Sequence, residues 1–160
     1  MSNQIYVISD LHFGHINMAR HRGFETVEKH DQFIIDQWNK VVTKRDTVWI
    51  LGDITMEKKA GYYLLDQLKG FKRVVLGNHD RHQDVPTLLE YVDSVCGMAK
   101  VKGFILTHCP VHPSELNRFK LNVHGHVHEN SLVDPRYINV SCENVNYTPQ
   151  LLSNYGPKTE

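Results

Sequence analysis

QIYVISDLH, residues 4–12, decides how the chain is read: a short apolar run rich in β-branched residues that ends on Asp10 and His12. The run has the composition of a strand, and the polar pair lies just past its end. The arrangement recurs. Asp53 follows VWILG, Asn78 follows RVVLG, His108 follows GFILT, and His126 and His128 close NVHGHVH. Core formation alone gives no reason to set metal-ligand residue types after apolar runs again and again. Strands ending at one edge of a sheet would deliver all seven side chains into one cleft, and in α/β sheets that edge is where ligands bind.

Outward from these runs, residues 10–24 carry Gly14, Gly23 and several histidines and read as a long functional loop. EKHDQFIIDQWNKVV (28–42) places Phe33, Ile34, Trp38 and Val41/Val42 on a helical stripe. DTVWILGD reads as a strand covered on both faces. A second helix is predicted over 58–69, burying Tyr63, Leu64, Leu65 and Leu68 and closed by Gly70. FKRVVLGNHD is a third strand and loop, and Pro86 suits the start of a short helix over 86–91. From about residue 93 the pattern changes to short strands in SVCGMAKV, GFILTHCP, LNVHGH and YINVSC, with Gly103 marking a tight hairpin turn. This order predicts an α/β fold with a mostly antiparallel second half, and a tail from Tyr147 that packs loosely. No repeat, linker or low-complexity stretch divides residues 1–160, so a single domain is expected.

The chain has 160 residues, enough to bury a core without disulfides. Lys plus Arg (18) equals Asp plus Glu (18), which gives no support to broad binding of nucleic acid or anionic membrane. The 11 histidines gather in the motifs rather than in a tag. Cys96, Cys109 and Cys142 are three in number and lack C-x-x-C spacing, which points to a reducing compartment. The start, MSNQ, runs directly into the first strand without a signal-like segment, and no apolar run approaches the length of a membrane helix, so a cytoplasmic protein is expected.

In Asp10-Leu11-His12 an extended backbone would point the outer two side chains the same way, so a carboxylate and an imidazole could meet one ion. His126-Val127-His128 repeats this with two imidazoles. Asp53 has two oxygens with which to bridge two cations, Asn78 offers a neutral amide oxygen, and His108 another imidazole. Such mixed N/O donors suit Mn, Fe, Zn or Co better than Ca or Mg, and the lack of ligand cysteines argues against a structural zinc site. His79 follows Asn78, faces the other way in an extended strand end, and could protonate a leaving oxygen. Asp80 is then expected to fix the His79 tautomer.

In that order the motifs D-x-H, G-D, G-N-H-D, a strand-end His and G-H-x-H resemble the signature of the calcineurin-like metallophosphoesterases, across residues 4 to about 142. The resemblance implies a four-layer α-β-β-α sandwich of two mixed β-sheets flanked by helices. It implies one metal on Asp10, His12, Asp53 and His128, and a second on Asp53, Asn78, His108 and His126. Two divalent transition-metal ions are expected, manganese first, with Fe, Zn, Co or Ni as alternatives. At a spacing of roughly 3.5–4 Å such ions clamp a phosphoryl group and supply a bridging hydroxide as nucleophile. The implied activity is hydrolysis of a small or nucleotide-type phosphodiester; a phosphomonoesterase is the competing enzyme and a metal-binding scaffold the competing class. The expected partner is a small phosphoester substrate, with no membrane, no nucleic-acid track and no indication of an oligomer. The chain departs from the pattern in following Asp53 with Ile54 and Thr55, and in having Thr107 where glycine commonly precedes the strand-end histidine.

Beyond the motifs, Gly14 permits a turn that would bring His15 over the phosphate. His124 shares the ligand face by alternation and is expected to touch substrate or support a ligand. Arg81 is the best-placed phosphate cation, ahead of Arg20, Arg22 and Arg118. Cys109 is read as a small hydrophobe beside a ligand strand. His21, His30 and His82 are read as surface residues, and Trp38 and Trp49 as packing.

Overall fold

Alternation along three parallel strands builds two cores. A computed structural model describes residues 3–156. Strands β1 (Ile5–Ile8), β2 (Thr47–Ile50) and β3 (Phe71–Val75) pair side by side, with Ile5 opposite Thr47 and Thr47 opposite Phe71. Tyr6, Ile8, Val48, Ile50 and Val74 face one way and pack against helices; Val7, Trp49 and Val75 face the other way into a second sheet. β4 (Ser94–Cys96) extends the first sheet in parallel beyond β3, and β9 (Gln150–Leu151) closes its other edge antiparallel to β1.

The second sheet orders β5 (Ala99–Val101), β6 (Phe104–Leu106), β7 (Leu121–His124) and β8 (Tyr137–Asn139). Only β5–β6 is antiparallel; β6, β7 and β8 run parallel. The expected mostly antiparallel half is thus corrected, because returning loops rather than hairpins join these strands. The hairpin at Gly103 is present: Lys102 and Gly103 have φ of 49° and 87°, as a two-residue primed turn requires. SVCGMAKV is not one strand. Gly97 and Met98 break it, leaving β4 in the first sheet and β5 in the second.

On the first sheet lies α2 (Val27–Val41), capped by Thr26, whose hydroxyl accepts from Lys29 N at 3.1 Å. Its buried stripe is Ile34, Ile35 and Trp38; Phe33 and Val41 sit at the rim, each 36% exposed. The predicted helix over 58–69 is a 3-10 helix, Lys59–Gln67. Its buried residues are Tyr62, Leu64 and Leu65, Leu68 is buried just past its end, and Tyr63 points outward at 58% exposure. Tyr62, Leu65 and Leu68 follow the three-residue period. The loop expected over 10–24 contains a short helix, α1 (Ile16–His21), stopped by Gly23 at φ 82°. The helix predicted over 86–91 is α3 (Val85–Leu88), with proline in its first turn.

The outer face of the second sheet is covered by the loop after β6 and its 3-10 helix, Pro113–Asn117. Asn122 accepts from Val111 N at 3.0 Å, and Tyr137 Oη donates to Val111 O at 2.7 Å. Two mixed sheets flanked by helices therefore form the fold, with its fourth layer reduced to one short turn. The tail does not pack loosely as far as Tyr155. β9 pairs with β1 and Leu152 is buried, while residues 157–160 lie outside the described residues. Among the described residues no helix is long and apolar enough to cross a membrane, and the three cysteines are unpaired.

Candidate metal centre

Strands β1 and β7 end at Ile8 and His124, so the expected ligands fall in the loops beyond them. The extended backbone expected for D-x-H and H-V-H does not occur. Asp10, His12, Asp53, His126 and His128 have φ of 60°, 51°, 54°, 71° and 49°. This left-handed region is strained for non-glycine residues and collects at functional sites. Each such residue curls the chain back, so the side chains meet by these curls rather than by strand alternation. Backbone bonds hold the curl: Asp10 N to Gly52 O at 3.0 Å, His12 N to Asp53 O at 3.0 Å, Gly125 N to His108 O at 2.9 Å. The motif glycines are needed for close approach. A Cβ on Gly77 would collide with the Asp53 carboxylate, and one on Gly125 with Ser9 and Asp10.

All seven residues meet in two half-sites. His12 Nε2 lies 3.8 Å from both Asp10 Oδ1 and Asp53 Oδ2, and His128 Nε2 lies 3.8 Å from Asp10 Oδ1. In the other half, His108 Nε2 is 3.3 Å from Asp53 Oδ2 and 2.9 Å from Asn78 Oδ1. His126 Nδ1 is 3.0 Å from Asn78 Oδ1 and 3.2 Å from His108 Nε2. Donors about 2.0–2.2 Å from one ion stand roughly 3–4 Å from each other, so both halves match a divalent metal. His126 enters through Nδ1, whereas His12, His108 and His128 present Nε2. Asp53 reaches both halves with Oδ2 alone, because Oδ1 accepts from His79 N at 3.0 Å.

Buried polar atoms without partners test the fit. Asp10 Oδ1 and His12 Nε2 are buried and have no hydrogen bond, while Asp10 Oδ2 is engaged by Ser9 Oγ, His126 N and Ser141 Oγ. Buried groups of this kind require a partner, which a bound cation would supply. Tautomers agree. His108 Nδ1 faces Leu51 O at 2.7 Å and His128 Nδ1 faces Glu143 Oε1 at 3.0 Å, which leaves the lone pair of each Nε2 for the site. Burial is the largest influence and opposes ionisation of Asp10 and Asp53, yet the surrounding groups together outweigh it and hold both carboxyls below the usual range: His12, His108, Ser9 and His126 N at Asp10, and His108 with His79 N at Asp53. Burial would lower the pKa of His108; Asp53 raises it on balance.

No protein-family model matches the chain. An uncharacterized protein of Methanocaldococcus jannaschii is 35% identical over 158 residues, covering 91% of this chain and 85% of its own. A protein of unknown function from Aquifex aeolicus superposes with a TM-score of 0.73 at 28% identity, over 92% of this chain and 95% of that one. The Pseudomonas putida nuclease MPE matches at TM-score 0.54 and 19% identity, over 78% of this chain and 61% of its own. An archaeal phosphodiesterase matches at 0.51 and 17%, over 86% and 82%. These last two share the fold. The chain has the fold of these phosphoesterases.

Around this centre the structure redraws several expectations. Asp80 does not meet the His79 ring. Its carboxylate accepts from Asp53 N (2.8 Å), Ile54 N (3.1 Å) and Gly77 N (2.8 Å), clamping the two ligand loops together. The carboxylate beside the ring is Glu57, with Oε1 3.5 Å from His79 Nδ1. His15 does turn toward the centre, its ring 5.7 Å from that of His12, with Nδ1 buried and unpartnered. His124 does not share the ligand face. Val123 fills the core between the sheets, so Asn122 and His124 face the other way, and the His124 ring lies 6.0 Å from that of Tyr137. Arg81 pairs with Asp84 at 3.0 Å. Cys109 is exposed rather than packed, and its sulfur stands within 4.8 Å of ligand atoms of His108 and His126.

Arg22 and His30 depart furthest from expectation. His30 is fully buried, and the Arg22 side chain is 0% exposed, not free for phosphate. Arg22 donates to Glu143 Oε1 through Nε at 2.8 Å, with Nη2 at 2.7 Å from the same oxygen. It also donates to Asp10 O at 2.7 Å and Leu11 O at 3.1 Å. Its Nη1 lies 2.9 Å from His30 Nε2; because arginine only donates, that nitrogen accepts, and His30 Nδ1–H donates to Asp31 Oδ1 at 2.8 Å. Asp31 in turn accepts from Gly14 N at 3.0 Å. No motif flagged Glu143, Ser9, Ser141 or Glu57.

Burial alone would raise the Glu143 carboxyl, but the His128 ring and the Arg22 guanidinium bring it down to about 2 from an ordinary 4.5. A carboxyl depressed in the folded state contributes stability that is complete above the unfolded value and fades as pH falls through the folded one. In metal-free protein, Glu143→Gln is expected to flatten the loss of thermal stability between pH 4.5 and about 2. Parallel stability curves for parent and variant across that window would contradict the linkage.

Proposed function

We propose that the chain is a binuclear metal-dependent phosphoesterase that hydrolyses a small or nucleotide-type phosphodiester. The observation that carries this reading is Asp53 Oδ2, placed 3.8 Å from His12 Nε2 and 3.3 Å from His108 Nε2, one oxygen common to two half-sites. Asp10, His12, Asp53 and His128 would hold one ion, and Asp53, Asn78, His108 and His126 the other. When bound, divalent ions polarise phosphoryl oxygens and lower the pKa of water so that it attacks at neutral pH. Manganese suits the nitrogen and oxygen donors, with Fe, Zn, Co or Ni as alternatives.

The protein's own groups do the rest. Glu57 lies beside His79 Nδ1, which leaves Nε2 as the ring nitrogen to carry a proton to the leaving oxygen. Asp80 keeps the Asp53 and Asn78 loops in register. His15, turned toward the His12 ring, is placed to contact a phosphoryl oxygen. That both a nuclease and a phosphodiesterase share the fold supports a diester, and the zero net charge favours a small one over a nucleic-acid track. We read residues 1–160 as one domain, with three unpaired cysteines that fit the cytoplasm and no partner required beyond the substrate.

Chelation should abolish hydrolysis of a generic phosphodiester, and Mn²⁺ should restore it. Preference for monoesters or phosphopeptides over diesters would move the assignment to a phosphatase. Absence of turnover with every divalent ion tried would end the enzyme reading.

A further inference from the structure

We infer that Arg22 and Glu143 are positioning residues for one half of the metal centre, the half built by Asp10, His12 and His128. The inference rests on the two-ion reading above. Glu143 Oε1 faces the His128 Nδ1–H at 3.0 Å and so aims the ring's other nitrogen at Asp10 Oδ1, 3.8 Å away. Arg22 holds that same oxygen through Nε and Nη2 while its remaining N–H groups hold the carbonyls of Asp10 and Leu11. One buried guanidinium therefore ties the D-x-H loop to the end of G-H-x-H, segments that share no strand pairing.

The support reaches further. His30 and Asp31, two buried polar residues on α2, brace Arg22 from behind and end on Gly14 N, the turn that places His15. Their burial has no role in packing that an apolar pair would not fill better, because each buried polar group must be matched. Among the described residues, none of these contacts touches Asn78, His108 or His126, the ligands of the other half. A residue that orients a ligand through its second nitrogen typically governs metal affinity 10–100-fold. Here that control falls on one ion of two.

Full-length protein is stripped of metal and titrated with Mn²⁺, reading ions bound per chain and the affinity of each. Glu143→Ala is expected to weaken one ion about 10–100-fold and leave the other within about threefold. Asn78→Ala is expected to weaken the ion that Glu143→Ala spares. Glu143→Gln keeps Oε1 as acceptor and places its amide nitrogen where Oε2 has no partner, so it should recover most of the lost affinity. Arg22→Lys should resemble Glu143→Ala, since an ammonium cannot fork between a carboxylate and two carbonyls. Thermal melting of the metal-free variants separates positioning from stability. Equal weakening of both ions, loss of the same ion in Glu143→Ala and Asn78→Ala, or Gln behaving like Ala would each overturn the inference. A parent that takes up fewer than two ions would overturn it together with the two-ion reading, whereas Glu143→Ala binding both at parental affinity overturns it alone.

Discussion

Asp53→Asn is expected to lose both ions together and to lower phosphodiester turnover by roughly 10³-fold or more, given that bound metals supply several kcal/mol and each 1.4 kcal/mol is a factor of ten. The structure dictates which atom changes. His79 N–H donates to Asp53 Oδ1, so an asparagine keeps its oxygen at that position and turns its NH₂ to the place of Oδ2. The substituted atom is the one that faces His12 on one side and His108 on the other. An amide nitrogen there offers protons in place of a lone pair to both half-sites at once. Metal analysis after dialysis is the check: two ions bound at parental affinity would refute the shared oxygen. A carboxylate loss that released only one ion would show that the halves are held separately.

His79→Ala should separate chemistry from metal binding. The bond from residue 79 to Asp53 comes from the backbone, not the ring, and survives the substitution, so metal content is expected to stay near that of the parent. Turnover of substrates with poor leaving groups should fall roughly 10²–10⁴-fold, the usual contribution of a positioned acid. Nitrophenyl esters, whose leaving groups need little protonation, should lose much less. The ratio of the two losses is the measurement. Equal losses would assign His79 to phosphoryl-oxygen positioning, and loss of metal would make it a ligand. Because Glu57 lies 3.5 Å from the ring, Glu57→Gln should lower turnover with the same leaving-group bias but a smaller amplitude.

What could be read from the chain and what could not divide along the range of the interactions. The parallel strands of the first sheet and the seven residues of the centre are legible because each is written in a few adjacent letters, an apolar run followed by a ligand type. The direction of the strands in the second sheet is not legible, because its parallel strands are joined by irregular loops, which carry no periodic signature. Tyr62 and Tyr63 exchanged places for a local reason, a helix of period three where 3.6 was assumed. Glu143 and Arg22 were out of reach altogether. They lie 121 residues apart, and SCEN and RHRG look like ordinary surface turns. Asp80 shows the opposite error. Adjacency to His79 suggests a partnership, yet its side chain folds back on the backbone N–H groups of Asp53, Ile54 and Gly77. Alternation holds for His124 relative to Val123 but ends with the strand, because φ reverses at His126.

The left-handed backbone at Asp10, His12, Asp53, His126 and His128 restricts how this centre can diverge in evolution. Asp, Asn and His are the non-glycine residues that tolerate this conformation best. They are also donors of nitrogen and oxygen, so ligand chemistry and backbone shape select the same three letters at these positions. Exchange among them alters the charge of a half-site, and with it the ion preferred, at small conformational cost. Glutamate has a carboxylate as competent as that of aspartate, but its longer side chain lacks this tolerance and would overreach a centre built on tight curls. Lineages of this fold can therefore retune their metal by swapping aspartate, asparagine and histidine, while substitutions that look equally conservative in a table of ligands are closed to them.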